Sequence, residues 1–216
     1  MRRLLTILAM AVLVAAHPFA LQQHKAVGKK AETTGPLKTV TPEVKCPSLI
    51  GMGVKTVRSF CDVLTGRDPA QGIVVSVPPH KGTGTLMFDL HARHMYSEDE
   101  MQRGKAYAHY RAGIGVLTMK GDLLGRAAVD AEFRTAADLF DRIGGGAGPG
   151  GLKAVAPAGR EPIFIEIPAN VDQVSLLGET LDATTAAGHE TMAMPGRPVA
   201  IVSNLLFEYH PVPAKK

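Results

Sequence analysis

The chain contains no tryptophan, four tyrosines and two cysteines among its 216 residues. Without tryptophan, any aromatic platform for stacking on a sugar ring rests on tyrosine. With no third cysteine, a cysteine-built metal site is disfavoured. Catalytic signatures are missing too. There is no H-E-x-x-H pair of histidines, no G-x-S-x-G elbow, and the glycine-rich run 144–151 lacks the G-K-[ST] ending of a nucleotide loop. That run follows a predicted helix and reads as a surface loop or hinge.

The long hydrophobic runs of a membrane protein are also missing, apart from residues 4–16. Arg2 and Arg3 precede that run, and Ala16 and Ala20 offer small residues for cleavage after it. This is the pattern of a secretory signal peptide, and the run is shorter than the ~20 apolar residues of a span. A retained N-terminal anchor is the competing reading. We therefore expect a signal peptide over 1–20, a secreted or periplasmic protein, and no membrane span once the signal is removed. The formal charge is 24 basic against 20 acidic residues, and losing Arg2 and Arg3 leaves 22 against 20, or +2. So even a balance gives no reason to expect nucleic acid or a membrane surface as partner.

Residues 21–45 have few large apolar side chains and scattered Lys, Pro, Gly and Thr, so a flexible linker is expected there. The folded domain then covers 46–216. Cys46 and Cys61 are expected to pair as a structural disulfide, since an oxidising compartment favours the bond. Eight segments read as strands, at 56–64, 72–77, 85–90, 111–119, 126–134, 162–167, 173–181 and 198–209. The period of two is clearest in Ile163-Phe164-Ile165-Glu166-Ile167. The last segment is apolar on both faces, which suggests a central strand. Ser97 with Glu100 makes a capping box that starts a helix running towards Tyr110, and Thr135 caps a second helix ending at Gly144. The fold class is mainly β: an antiparallel β-sandwich of about eight strands with one or two short helices in its connections.

Two clusters are candidates for function. Asp89 and His91 share a strand face, and His94 joins them if the chain turns after His91, forming a carboxylate–imidazole set for zinc or another divalent ion. Glu98 or Glu100 would then accept a proton. Tyr96, Tyr107 and Tyr110 form the second cluster, with rings suited to stacking on sugar faces. The competing reading places all of these residues in strand-end packing or the core. The residues favour an exported, non-enzymatic module without a cofactor that binds a polysaccharide or an envelope or extracellular protein. The alternative is a metal-dependent hydrolase or lyase centred on Asp89, His91 and His94.

Overall fold

A computed structural model of the chain describes residues 35–143 and 154–212. The expected signal peptide, the first part of the expected linker and the glycine-rich run 144–151 lie outside the described residues. The first three strands are short: β1 (Lys38–Val40), β2 (Glu43–Lys45) and β3 (Leu49–Met52). β4 (Ser59–Leu64) and β5 (Ile73–Ser76) flank a single 3-10 turn capped by Asp68. The long strands follow: β6 (His80–Tyr96), β7 (Ala108–Thr118), β8 (Leu123–Phe133), β9 (Ala154–Pro168) and β10 (Gln173–Thr185). β11 (Gly188–Met192) and β12 (Pro198–Pro211) come last.

One sheet has the order β3-β4-β12-β6-β9 with β1 also on β12, and the other β2-β5-β10-β7-β8 with β11 also on β10. All these strand pairs are antiparallel. The pairs β4–β12, β5–β10, β6–β9 and β7–β8 are nested inside one another, as when one long hairpin is rolled up. The sandwich is thus a jelly roll of eight strands, which correspond to the eight read from the sequence. The other four strands are only three to five residues long. Unlike Ile73 and Val75 of the equally short β5, their residues show no buried alternation that pattern reading could find.

Two expectations are corrected. Residues 38–45, expected within the linker, form β1 and β2, which pair with β12 and β5. Backbone pairing orders them, because their side chains are mostly exposed. The helices are also shorter than expected. Ser97 does cap a helix, α1, but it spans only Glu98–Gln102, and Gly104 follows at φ 65°. Thr135 and Asp138 form the capping box of a single 3-10 turn, not of a helix. The expected disulfide is present between Cys46 and Cys61, with Cα atoms 6.0 Å apart, and ties the residue that follows β2 to β4.

β6 and β12 are buried on both faces. Leu86, Phe88, Leu90 and Ala92 of β6 face the sandwich interior with Ala200 and Val202 of β12. Ile201 instead packs beneath a smaller apolar cluster with Phe60 and Ile143 on the outer side of the same sheet. The cover over that outer side is held by Asp141. Its carboxylate accepts the backbone N–H of Lys55 (2.9 Å), Thr56 (2.8 Å) and Arg142 (2.6 Å), and the Thr56 hydroxyl (2.5 Å). Burial alone would raise the Asp141 pKa, but these donors outweigh it and hold the carboxyl below its ordinary value.

Two outcomes follow from these contacts. Asp141→Ala should cost about 2–3 kcal/mol in urea unfolding at neutral pH, because several donors lose a charged partner. A depressed folded pKa stabilises above the ordinary carboxylate range, so the difference between wild type and variant should shrink as pH falls through the depressed value. Replacing both Cys46 and Cys61 with alanine should cost about 3 kcal/mol, the loop-closure value for a loop of this size.

Candidate functional site

β12 begins at Pro198, and its first partner on β6 is Ala92, opposite Ala200. Residues 93–96 of β6 therefore outrun β12 and keep β9 as their partner on one side only. In the other sheet, β10 continues to Thr185 and turns into β11, with β7 on its far side. A cleft of about 680 Å³ opens between the overhanging end of β6 and the β10–β11 hairpin.

The cleft owes its space to small side chains. Ala106, Ala108, Ala183, Ala186 and Ala187 line its walls. His94 and Tyr110 are buried below it, and the His94 ring stacks on Phe133 with centroids 3.7 Å apart. The backbone N–H of Met95, on the part of β6 that outruns β12, lies close enough to the Tyr110 hydroxyl to lower its pKa. That hydroxyl lies 3.1 Å from His94 Nδ1. Burial pushes the Tyr110 pKa up, against the opposing effects of the Met95 N–H and the Arg93 charge. Charges of both signs surround the cleft: Arg93, Lys105 and Arg197 against Glu100 and Glu190.

The structure separates the three residues expected to bind metal. Asp89 and His91 point to the outer side of their sheet, whereas His94 points to the interior, an odd number of residues away on a continuous strand. The expected turn after His91 does not occur, so the set is not assembled. Among the described residues, no group of three His, Cys, Asp or Glu is placed to hold a metal ion. Asp89 instead bonds Arg58 (2.8 Å) and Arg160 (3.0 Å). His91 Nδ1 lies 2.7 Å from the Gly159 carbonyl and Nε2 2.9 Å from the Ser203 hydroxyl. The neutral ring fits, donating from Nδ1 and accepting at Nε2. Burial, the largest influence, holds its pKa below the ordinary histidine value.

The tyrosines also divide. Tyr107 and Tyr110 line the cleft, but Tyr96 does not. Tyr96 is buried, donates to Glu98, and has the Arg142 guanidinium 4.8 Å above its ring. Tyr110 is only 8% exposed, so it offers the cleft its edge and hydroxyl, not a ring face. Tyr107 is half-buried, with Arg134 5.3 Å from the ring centroid. Sequence reasoning missed the alanine walls, Arg197 and the β10–β11 hairpin. It also missed Ser203 as the partner of His91, 112 residues away, for which no local pattern exists.

No protein-family model matches the chain, and neither does any curated protein. Among solved structures, it is similar to the K1 cleaved adhesin domain of Lys-gingipain from Porphyromonas gingivalis W83. That match has 10% identity and a TM-score of 0.33, covering 80% of this chain and 89% of that one. It is also similar to the VP2 subviral particle of infectious bursal disease virus, with 11% identity and a TM-score of 0.26, covering 81% of this chain and 32% of that one. At these scores neither likeness bears on function.

The folded state holds His91 neutral, so the unfolded chain binds more protons below the ordinary histidine pKa. Stability should therefore fall as pH drops from about 6.5 towards the depressed value. Urea unfolding at about pH 7.5 and about pH 5.5 should show this loss, and His91→Gln should flatten it. Tyr110→Phe should cost about 1–3 kcal/mol in urea unfolding by removing the hydroxyl that bonds the buried His94 Nδ1.

Proposed function

We propose that this protein is an exported, non-catalytic binding module whose end cleft takes a segment of polysaccharide. The observation that supports this most is the cleft's lining. Alanine and methionine surfaces suit the C–H faces of a sugar, and arginine, glutamate and lysine side chains around them suit its hydroxyls. Tyr107 is the tyrosine with ring surface left for a ligand, and Tyr110 sits beneath the cleft with its hydroxyl. The rim carries both signs of charge, so it suits a neutral or weakly charged chain better than a strongly anionic one. The disulfide supports an oxidising compartment, consistent with the signal-like N-terminal sequence.

A panel of soluble polysaccharides in native affinity gels tests the proposal. At least one should retard the wild-type chain. Ala187→Trp, at an exposed position on the cleft wall, should fill the space and weaken retention about tenfold or more, a loss of about 1.4 kcal/mol or greater. Tyr107→Ala should weaken it in the same direction, with both variants keeping the wild-type Tm. Retardation that both variants leave unchanged would overturn the proposal. So would capture of an envelope protein with no retardation by any polysaccharide.

A further inference from the structure

We propose that the tip of the β3–β4 hairpin, residues 52–58, docks on a lipid bilayer bearing anionic headgroups. This is independent of the cleft. Two valines at the tip stand out from the protein: Val54 is 70% exposed and Val57 is 72% exposed. Met52 is also largely exposed. Val57 is held at φ 56°, where a β-branched residue is strained and glycine would be relaxed. That backbone lies within the hydrogen-bonded turn of the hairpin, and it presents the apolar Val57 side chain to solvent.

The backbone N–H groups of the loop are also already paired. The N–H of Gly53 donates to Arg58 O (2.8 Å), that of Val54 to Arg142 O (2.8 Å), and that of Val57 to Gly53 O (3.1 Å). Lys55 and Thr56 N–H donate to Asp141, and Arg58 N–H to Thr56 Oγ1 (3.4 Å). Every N–H from 53 to 58 has a protein acceptor, so leaving water strands none of them. An ordinary surface loop gives several such groups to solvent.

Charge selects the kind of surface. Residues 52–58 and the 139–143 segment beneath them contain Lys55, Arg58 and Arg142 as cations. Their one carboxylate is Asp141, which is buried. Arg58 also bonds the buried Asp89 and keeps part of its guanidinium exposed. Apolar tips with flanking basic groups match an interface whose headgroups are negative and whose acyl region lies just below. Lys55 and the exposed part of Arg58 are the basic groups that the tip itself brings to such a surface, since Arg142 bonds Tyr96, which donates to Glu98.

The absence of tryptophan makes a direct test possible, because Val54→Trp places the single indole of the full chain at the tip. With vesicles of mixed phosphatidylcholine and phosphatidylglycerol, its emission should shift to the blue and be quenched by brominated acyl chains. Phosphatidylcholine alone should give a smaller shift, and added salt should reduce it. Leu123→Trp, an exposed position in the other sheet, should report no change. Val57→Gly in the Val54→Trp background should raise the Tm and weaken the shift. An unchanged Val54→Trp emission with every vesicle would overturn the proposal. So would a blue shift that depends on protein concentration without lipid, which would assign the tip to contact between copies of the chain.

Discussion

Hydrogen bonding of β6 between β12 and β9 sets the position of nearly everything described above. Its inner residues, from Leu86 to Ala92, fill the sandwich, while Asp89 and His91 meet dedicated partners on the outer side. A slip of one residue would carry Asp89 and His91 into an apolar interior and take leucine and phenylalanine out of it. The two arginines on Asp89, and the carbonyl and hydroxyl on His91, hold the register in place by making the alternative costly. These polar residues are a specificity device within a fold whose driving force is burial of its apolar residues.

The cleft follows from that register. Because Ala92 lies opposite Ala200, the last residues of β6 project beyond the start of β12. An unpaired strand end is ordinarily a liability. Here Tyr110, bonded through its hydroxyl to His94, lies below the strand end, and the β10–β11 hairpin forms the opposite wall. The alanines keep the space between them open. The outer side of the same sheet has a different solution, a cover pinned by one carboxylate, whose hairpin turns strained valine to solvent. The two surfaces thus differ: a strand end left open at the cleft, and a sheet face sealed by its cover.

The eight jelly-roll strands were legible because each carries buried apolar residues in alternation or, for β12, unbroken apolarity, as even the four-residue β5 does with Ile73 and Val75. The centrality of β12 followed from the latter: its successive residues Val199 to Ser203 are all buried. The disulfide was legible from the cysteine count together with the signal-like N-terminal sequence. The helices were over-read, since a capping box marks where a helix starts and says nothing of its length. The metal set failed because a turn after His91 was needed and the strand continues straight to Tyr96. Parity on a strand then puts His94 on the opposite face. Only part of the cleft was visible beforehand: Tyr107 and Tyr110 were named, but alanine walls carry no chemical signature. The His91–Ser203 contact joins distant strands, and only the fold brings them together.

Hydrogen exchange of the full chain, with and without a polysaccharide that retards it, is the most direct measure of the central claim. Binding in the cleft predicts new protection at 93–96, 105–110 and 181–192, with the 53–58 hairpin unchanged. Protection confined to other segments, or none at saturating polysaccharide, would contradict it.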